Sequence, residues 1–491
     1  MKILFLAAEA APLAKVGGLG DVAGSLPRAL AALGHDVRVV IPFSGLVDRQ
    51  RFQPRLLTKV GVPHVGGDQV ARVSEVRLNG VTFNLVAGPP IPRARRVYGA
   101  GIAEDGPKFV FFSMAALGLC RVLDWAPDVV HANDSHTGAA VYWLAQAGIH
   151  DDLFQNTGSV FTIHNLVYMN NGAGPFLRAY GLAVSDSPLL PDWARDSLMG
   201  LGLAHADRLN TVSPRHAREI LTPEFGYGFE GALAARRDRL SGILNGLDLD
   251  VWDPARDRQI AAGYDAAHLP RRAANKRALQ KALNLALQPR VPLVGIVSRL
   301  DTQKGFDLAE PALRALLERP DPLQVVVLGT GLKSIETGFK NLARDFPEQA
   351  RVELRFDPAR ARQIYAGADL LLIPSRYEPC GLAQMIAQRY GAVPVVRRTG
   401  GLADTVIDSA RPGRGTGFMF TDYNARALQK AVQRALRLYG RPAAWQAMQR
   451  RGMRLALGFD WTNSAKAYVA LYRLAITDRK ESVARLAQVA T

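Results

Sequence analysis

Short apolar runs recur along the chain, each ending in polar or glycine-rich residues and each followed by a stretch with helical spacing. The first, Lys2–Ala8, predicts a buried strand, then a glycine loop, then a helix from about Asp21 to Leu33 that Gly34 closes. Val37–Pro42 is the next strand, which makes a βαβ unit. From Arg51 to Gly106 the pattern is less regular, with alternating strands expected at Val70–Leu78 and Thr82–Val86 among Pro and Gly turns. Buried strands return at Asp128–His131, Gly158–His164 and Arg208–Ser213. The second half is more regular. Leu293–Ser298 leads to the helix Phe306–Leu317, and strands at Gln324–Leu328, Val352–Phe356, Leu370–Pro374 and Val393–Val396 alternate with helical segments. This alternation predicts an α/β protein with doubly wound parallel sheets. The Asn245-Gly246 turn and the charged segment Arg256–Lys281 put a boundary near Leu244–Pro254. Domains are therefore expected at residues 1–245 and 246–460, with an amphipathic helix, clearest over Trp461–Leu474, in 461–491. Ligands of such folds bind beyond the carboxyl ends of the strands, so a deep cleft between facing domains is the expected site.

Composition changes this picture little. Lys and Arg number 61 against 44 Asp and Glu, a formal charge of +17. The excess is spread over Arg93–Arg96, Arg236–Arg239, Arg271–Lys276 and Arg355–Arg362 and lacks the basic–aromatic clustering of a nucleic-acid module, which reads as solvated faces. Phosphate-bearing substrates suit that balance. Cys120 and Cys380 alone make no disulfide framework and no thiolate metal site, so a reducing cytoplasm is expected. No apolar run reaches the ~20 residues of a membrane span. Met1–Leu6 followed by Ala8-Glu9-Ala10 has the look of a short signal peptide, but the βα pattern that follows needs this strand.

Candidate chemistry sits where strands pass into helices. In Lys15-Val16-Gly17-Gly18-Leu19-Gly20-Asp21 the glycines permit φ > 0 and a close approach of amides to an oxyanion, and Lys15 suits phosphate charge. Gly18–Ala23 also satisfies G-x-G-x-x-A, yet Ile41-Pro42-Phe43 stands where a dinucleotide site wants an acid after its second strand. That disfavours a nicotinamide oxidoreductase. Arg299 and Lys304, in Ser298–Gly305, can reach a diphosphate from one loop and neutralise charge on a leaving nucleotide. In Pro374–Leu382, Glu378 precedes a helix start, where an acid can act on sugar hydroxyls or simply offset the helix dipole. Arg397–Leu402, with Thr399-Gly400-Gly401, is a further phosphate-ready loop. His131 and His136 flank Asp134, but no third ligand with metal-site spacing accompanies them.

Lys15–Val22, His164-Asn165-Leu166, Gly242–Asp248, Ser298–Gly305, Pro374–Leu382 and Arg397–Thr405 together resemble the bacterial glycogen synthase and plant starch synthase family. The match runs in order over essentially the whole chain, to about Trp461–Tyr472. The resemblance implies two Rossmann-like domains of the GT-B type and a C-terminal helix that returns to the first. It implies transfer of glucose to the non-reducing end of an α-1,4-glucan with retention of configuration, without metal or cofactor. ADP-glucose is the donor it implies first, UDP-glucose the alternative. By the same resemblance Lys15 lies near donor phosphates and acceptor, Gly18 beside the diphosphate, and Asp21 in the nucleotide-sugar pocket. His164 is placed close to the transferred glucose, where its main-chain carbonyl stabilises positive charge at the anomeric carbon. Arg299 and Lys304 hold the diphosphate, Glu378 is the essential acid, and Thr399 and Gly400 touch the distal phosphate. Phe356 stands where relatives often carry a tyrosine against adenine. Asp134, Asn165, Asn245 and Cys380-Gly381-Leu382 fall in family motifs and are expected to line the substrates.

Three stretches depart from the family pattern. Ser135 replaces a tryptophan, Tyr168–Gly172 lacks a Gln-Gly pair, and Pro188–Leu203 lacks the expected aromatic and lysine content. The slot eight residues after Glu378, a glutamate in broader sugar-transferase families, is Ile386, as in the glycogen-synthase group. These departures leave a second reading open, a catalytically weakened glucan- or nucleotide-sugar-binding relative.

Overall fold

The computed structural model describes residues 1–92 and 94–489, so Arg93 of the first basic run and Ala490 and Thr491 of the C-terminal segment lie outside the described residues. The chain forms two compact units, Met1–Gly246 with Trp461–Thr491, and Leu247–Asp460.

The first unit is built on nine strands: β1 (Lys2–Leu6), β2 (Asp36–Pro42), β3 (Arg55–Val62), β4 (Gln69–Leu78), β5 (Val81–Ala87), β6 (Val129–Asn133), β7 (Gly158–Ile163), β8 (Arg208–Thr211) and β9 (Leu240–Gly242). Their order is β3-β4-β5-β2-β1-β6-β7-β8-β9, parallel except where β4 pairs with β3 and β5. Strands buried on both faces read as unbroken apolar runs, which is why Ile3–Leu6 stands out in the sequence and is fully buried. β3 gives no such run. It is an edge strand with Arg55 and Lys59 exposed and Leu56 and Leu57 facing out. The chain leaves β1 toward one edge and restarts at β6 toward the other, so the switch point lies between β1 and β6.

The second unit holds β10 (Leu293–Val297), β11 (Gln324–Leu328), β12 (Ala350–Glu353), β13 (Leu370–Ile373), β14 (Val393–Arg397) and β15 (Phe418–Phe420). They pair all-parallel in the order β12-β11-β10-β13-β14-β15, the Rossmann arrangement, with its switch point between β10 and β13. β12 ends at Glu353, short of the expected strand Val352–Phe356, and leaves Phe356 in a loop, 91% exposed.

The helix Trp461–Val489 packs on β7 and on the helix Gly18–Ala32 of the first unit. Trp461, Ala465, Tyr468, Leu471, Tyr472 and Ala475 form its buried stripe. Past Ala475 the stripe continues in the charged residues Asp478 and Arg479, which is why the apolar periodicity fades there. Asp478 meets Arg208 at 3.0 Å and Arg239 at 3.3 Å, and Arg479 donates to the carbonyls of Leu144 and Gln155 at 2.9 Å. Within the core the His131 ring bridges the Tyr472 hydroxyl and Thr162 Oγ1, both at 2.8 Å. Tyr472→Phe strands one buried ring nitrogen and is expected to cost about 1–3 kcal/mol in urea unfolding. An unchanged midpoint would remove His131 from the fastening of this helix. Among the described residues no helix is long and apolar enough to cross a membrane.

Candidate functional site

In the first unit, the loop after β1 is organised by Glu9, a residue that motif reading passes over. Its buried carboxylate accepts the amides of Val16 and Gly17, the latter at 3.0 Å, and the Tyr98 hydroxyl at 3.0 Å. Glu9 thus caps the turn into the helix Gly18–Ala32, the role the helix dipole assigns to an acid. Gly17, Gly18 and Gly20 do not use φ > 0, contrary to the sequence expectation. Gly20 is needed for closeness, since a Cβ there would lie 3.0 Å from Lys15 Cγ and 3.1 Å from Glu9. Gly18 faces open space. Lys15, half-exposed, pairs with Asp21 at 2.6 Å.

Across the switch point, the loop after β6 carries Asp134 at φ 57, ψ 178, a costly conformation for a residue with a side chain. Its carboxylate accepts the amides of His164 at 2.7 Å and Asn165 at 3.2 Å, tying the ends of β6 and β7 together. His164 Nε2 lies 2.8 Å from Asn133 Oδ1. Asn133 Nδ2 donates to the Leu6 carbonyl, so its oxygen accepts and His164 carries its proton on Nε2. Desolvation, with His136 adding, lowers His164 to about 3, so the imidazole is neutral. Desolvation also raises Asp134 to about 7 against the pull of its two amide donors.

That shift has a consequence for stability. The folded pKa of Asp134 lies above the ordinary 3.8, so the folded state holds the extra proton between those values. The associated stability is fully present below the unfolded value and is lost as pH rises through 7. Asp134→Asn keeps an oxygen for both amides and removes the titration. The variant is expected to gain on the parent between about pH 4 and about pH 8, by at most ~4 kcal/mol, in urea unfolding. A stability difference independent of pH would contradict the assignment.

The three departures from the family pattern lie together. Asn170 Nδ2 donates to Ser135 Oγ at 2.9 Å, the Asn170 carbonyl accepts from Leu198 N at 3.1 Å, and Ser197 Oγ donates to the Met169 carbonyl at 2.8 Å. The small Ser135 is therefore buried with a partner, not set beside a gap. Asn245, also in this unit, is buried with its side-chain oxygen lacking a hydrogen-bond partner among the described residues.

In the second unit, Lys304 from the loop after β10 meets Glu378 from the loop after β13 at 2.6 Å, and Ser375 Oγ donates to the same carboxylate oxygen at 3.0 Å. Glu378 is buried. Arg299, more exposed, rests on Asp301 at 3.2 Å. Glycines lock these loops into one body. A Cβ on Gly305 (φ 76) would meet the Pro374 carbonyl at 2.1 Å, and one on Gly400 (φ 41) the Glu378 carbonyl at 1.9 Å. One on Gly401 would meet the Cys380 carbonyl at 2.1 Å. Gln384 donates to the carbonyls of Cys380 at 3.0 Å and Gly381 at 2.9 Å, which fastens the Glu378–Leu382 turn from behind. Leu382 leads into the helix Ala383–Arg389, and Thr399, buried and extended, immediately precedes the helix Gly400–Thr405. Both sheets thus present their chemistry at their switch points. Among the described residues no group of three or more His, Cys, Asp or Glu is placed to hold a metal ion.

Residues 2–235 match the family model for the starch synthase catalytic domain, and residues 280–451 match glycosyl transferases group 1. A glycogen synthase of Moorella thermoacetica is 40% identical over 492 residues, covering 98% of each chain. One of an Anaeromyxobacter species is 44% identical, covering 96% of this chain and 99% of its own. The chain belongs to the glycogen synthase and starch synthase family. Among solved structures, the catalytic domain of starch synthase IV from Arabidopsis thaliana, bound to ADP and acarbose, aligns with a TM-score of 0.88 at 32% identity, covering 97% of this chain and 99% of its own. Within this family frame, Lys15, His164, Lys304 and Glu378 are found at strand ends of a GT-B glycosyltransferase. Glu9, Tyr98, Ser375 and Gln384 support them, and sequence reading missed all four. Ser375 left a signal, an oxygen three residues before Glu378. Glu9 left only an acid in an alanine-rich stretch.

Proposed function

We propose that this protein transfers glucose from ADP-glucose to the non-reducing end of an α-1,4-glucan, with retention at the anomeric carbon. The observation that carries the reading is the part-buried Lys304–Glu378 pair, held at a switch point by interlocked glycine loops. An ammonium beside a carboxylate offers one group for donor phosphate and one for sugar hydroxyls. In this mechanism the bond from the anomeric carbon to the leaving phosphate oxygen breaks while the acceptor oxygen bonds on the same face. The acceptor's proton passes to the leaving phosphate. Arg299 and Lys304 neutralise the departing diphosphate, Thr399 and Gly400 hold its distal phosphate, and the His164 carbonyl faces the cationic sugar. Lys15, Gly18 and Asp21 serve the phosphate side of the first unit, with Asp134, Asn165 and Asn245 lining its sugar and acceptor groups. Cys380-Gly381-Leu382 backs the donor, and exposed Phe356 is free to cover the adenine.

ADP as the nucleotide is supported by the ADP-bound starch synthase structure among the relatives. Cys120 and Cys380 are buried and form no disulfide among the described residues, which suits a reducing cytoplasm. Radiolabelled transfer from ADP-glucose and from UDP-glucose to glycogen tests the reading. Transfer from ADP-glucose at several-fold higher kcat/KM is expected. A preference for UDP-glucose would overturn the donor, and no transfer by folded protein from either would overturn the activity. The Ser135–Asn170 bond speaks against a weakened relative, because the altered pocket wall is built and satisfied.

A further inference from the structure

The second unit contains a cavity of about 510 Å³ that none of the loops described above lines. Its walls are the segment 409–415, the first residue of β15, and facing sides of the helices Ala425–Tyr439 and Pro442–Ala456. In a parallel sheet Phe418 marks the amino end of β15, whereas the Lys304 and Glu378 loops follow carboxyl ends. The cavity therefore opens at the opposite end of the sheet.

Five arginines line it: Arg411, Arg434, Arg437, Arg441 and Arg451. Among the described residues a single carboxylate comes within ion-pair range of any of them, Asp408 at 4.0 Å from Arg434. Asp408 is itself committed to the amides of Ala410 at 2.7 Å and Met419 at 2.8 Å. Arg434 donates to the Met419 carbonyl, and its Nε is buried without a hydrogen-bond partner among the described residues. Arg451 donates to the Gly415 carbonyl at 2.9 Å. The helix Pro442–Ala456 starts at this wall with no side-chain cap, and Ala444 of its first turn is part of the lining. An uncapped helix start adds positive potential to the guanidiniums. The floor is apolar, from Phe418, Leu438 and Met448.

The chain is rich in arginine, and elsewhere its arginines lie on outer faces, pair with Asp and Glu, or, like Arg236, Arg351 and Arg479, donate to backbone carbonyls. Here five converge on one concavity, with Asp408 the single acid in ion-pair range of them among the described residues. A dianionic phosphate monoester brings near −2 charge and three acceptor oxygens, which forked guanidiniums match. The volume falls in the ~300–1,000 Å³ range of small-molecule sites, and the apolar floor suits the face of a ring.

We propose that this cavity binds a small phosphomonoester, a sugar phosphate or a nucleoside monophosphate, with its phosphate among Arg411, Arg437 and Arg441 and its ring on Phe418 and Met448. The site is separate from the proposed donor loops and stands whether or not that assignment holds.

Calorimetric titration of the full chain in about 150 mM salt tests this with fructose 6-phosphate, AMP, inorganic phosphate and fructose. At least one of the two phosphomonoesters is expected to bind, and unphosphorylated fructose is not. Arg437→Ser/Arg441→Ser should weaken that binding ~10-fold or more, with the circular dichroism of the parent, since both side chains are exposed. Lys304→Ala should leave it within about twofold, because a site at the far end of the sheet is independent of that lysine. Loss on Lys304→Ala would reassign the binding to the donor loops and overturn the proposal, as would undiminished binding in the arginine double variant. Inorganic phosphate binding as tightly as the esters would mark an adventitious ion only. Heparin displacing the bound ester at lower concentration than either ester itself would mark a polyanion surface, and absence of binding by both esters would end the proposal.

Discussion

Glu378→Gln is expected to lower kcat for glucan extension by ~10²–10³-fold while the protein remains folded. The substitution conserves shape and removes charge at a carboxylate that meets Lys304 at 2.6 Å and Ser375 at 3.0 Å. Two effects then combine. The amide binds sugar hydroxyls less strongly than a carboxylate, and Lys304 loses the partner that aims it. Breaking this part-buried ion pair also costs stability, so the melting temperature should fall by several degrees without loss of cooperativity. Transfer rate and thermal unfolding on the same preparation separate the two. Near-parental turnover in a folded variant would take Glu378 out of the chemistry and leave it as a strut of the loop.

Lys15→Ala is the complementary case, with a loss of turnover of ~10²-fold expected and almost no change in unfolding. Lys15 is half-exposed and its one described partner is Asp21, so the fold has little invested in it. An exposed pair of this kind contributes ~0–1 kcal/mol at most. The predicted loss therefore reports the reaction and not the scaffold. The Lys15→Arg variant should restore part of the rate if positive charge is what matters. Equal rates in parent and alanine variant would remove the loop after β1 from catalysis.

How much of this was legible in the sequence depended on what each residue packs against. Parallel strands such as β1, β10 and β11 are buried on both faces and announce themselves as apolar runs. The edge strand β3 and the three-residue β9 and β15 have too little pattern to read. The glycine loops were visible as motifs, but their physical purpose was partly misread. Gly17, Gly18 and Gly20 keep ordinary φ, whereas Gly305, Gly400 and Gly401 are required because neighbouring carbonyls leave no room for a Cβ. Such close approaches join segments far apart in the chain, and a linear pattern has no record of them. The same holds for Glu9, whose function is the cap on Val16 and Gly17, and for the bond that makes Ser135 and Asn170 one feature.

The return of the helix Trp461–Val489 to the first unit also sets an order of assembly on the ribosome. The second unit is a closed insertion. Leu247 N bonds the Phe459 carbonyl at 2.6 Å, so its two ends are pinned together and it can fold as soon as Asp460 has emerged. The first unit begins earlier yet finishes later, because β7 and the polar side chains of His131 and Asn210 wait for Tyr468 and Tyr472. At ~5–20 residues per second, β7 waits for its covering helix for on the order of tens of seconds. A nascent chain stalled short of Trp461 should therefore be cut by protease within residues 1–246 and spared within Leu247–Asp460.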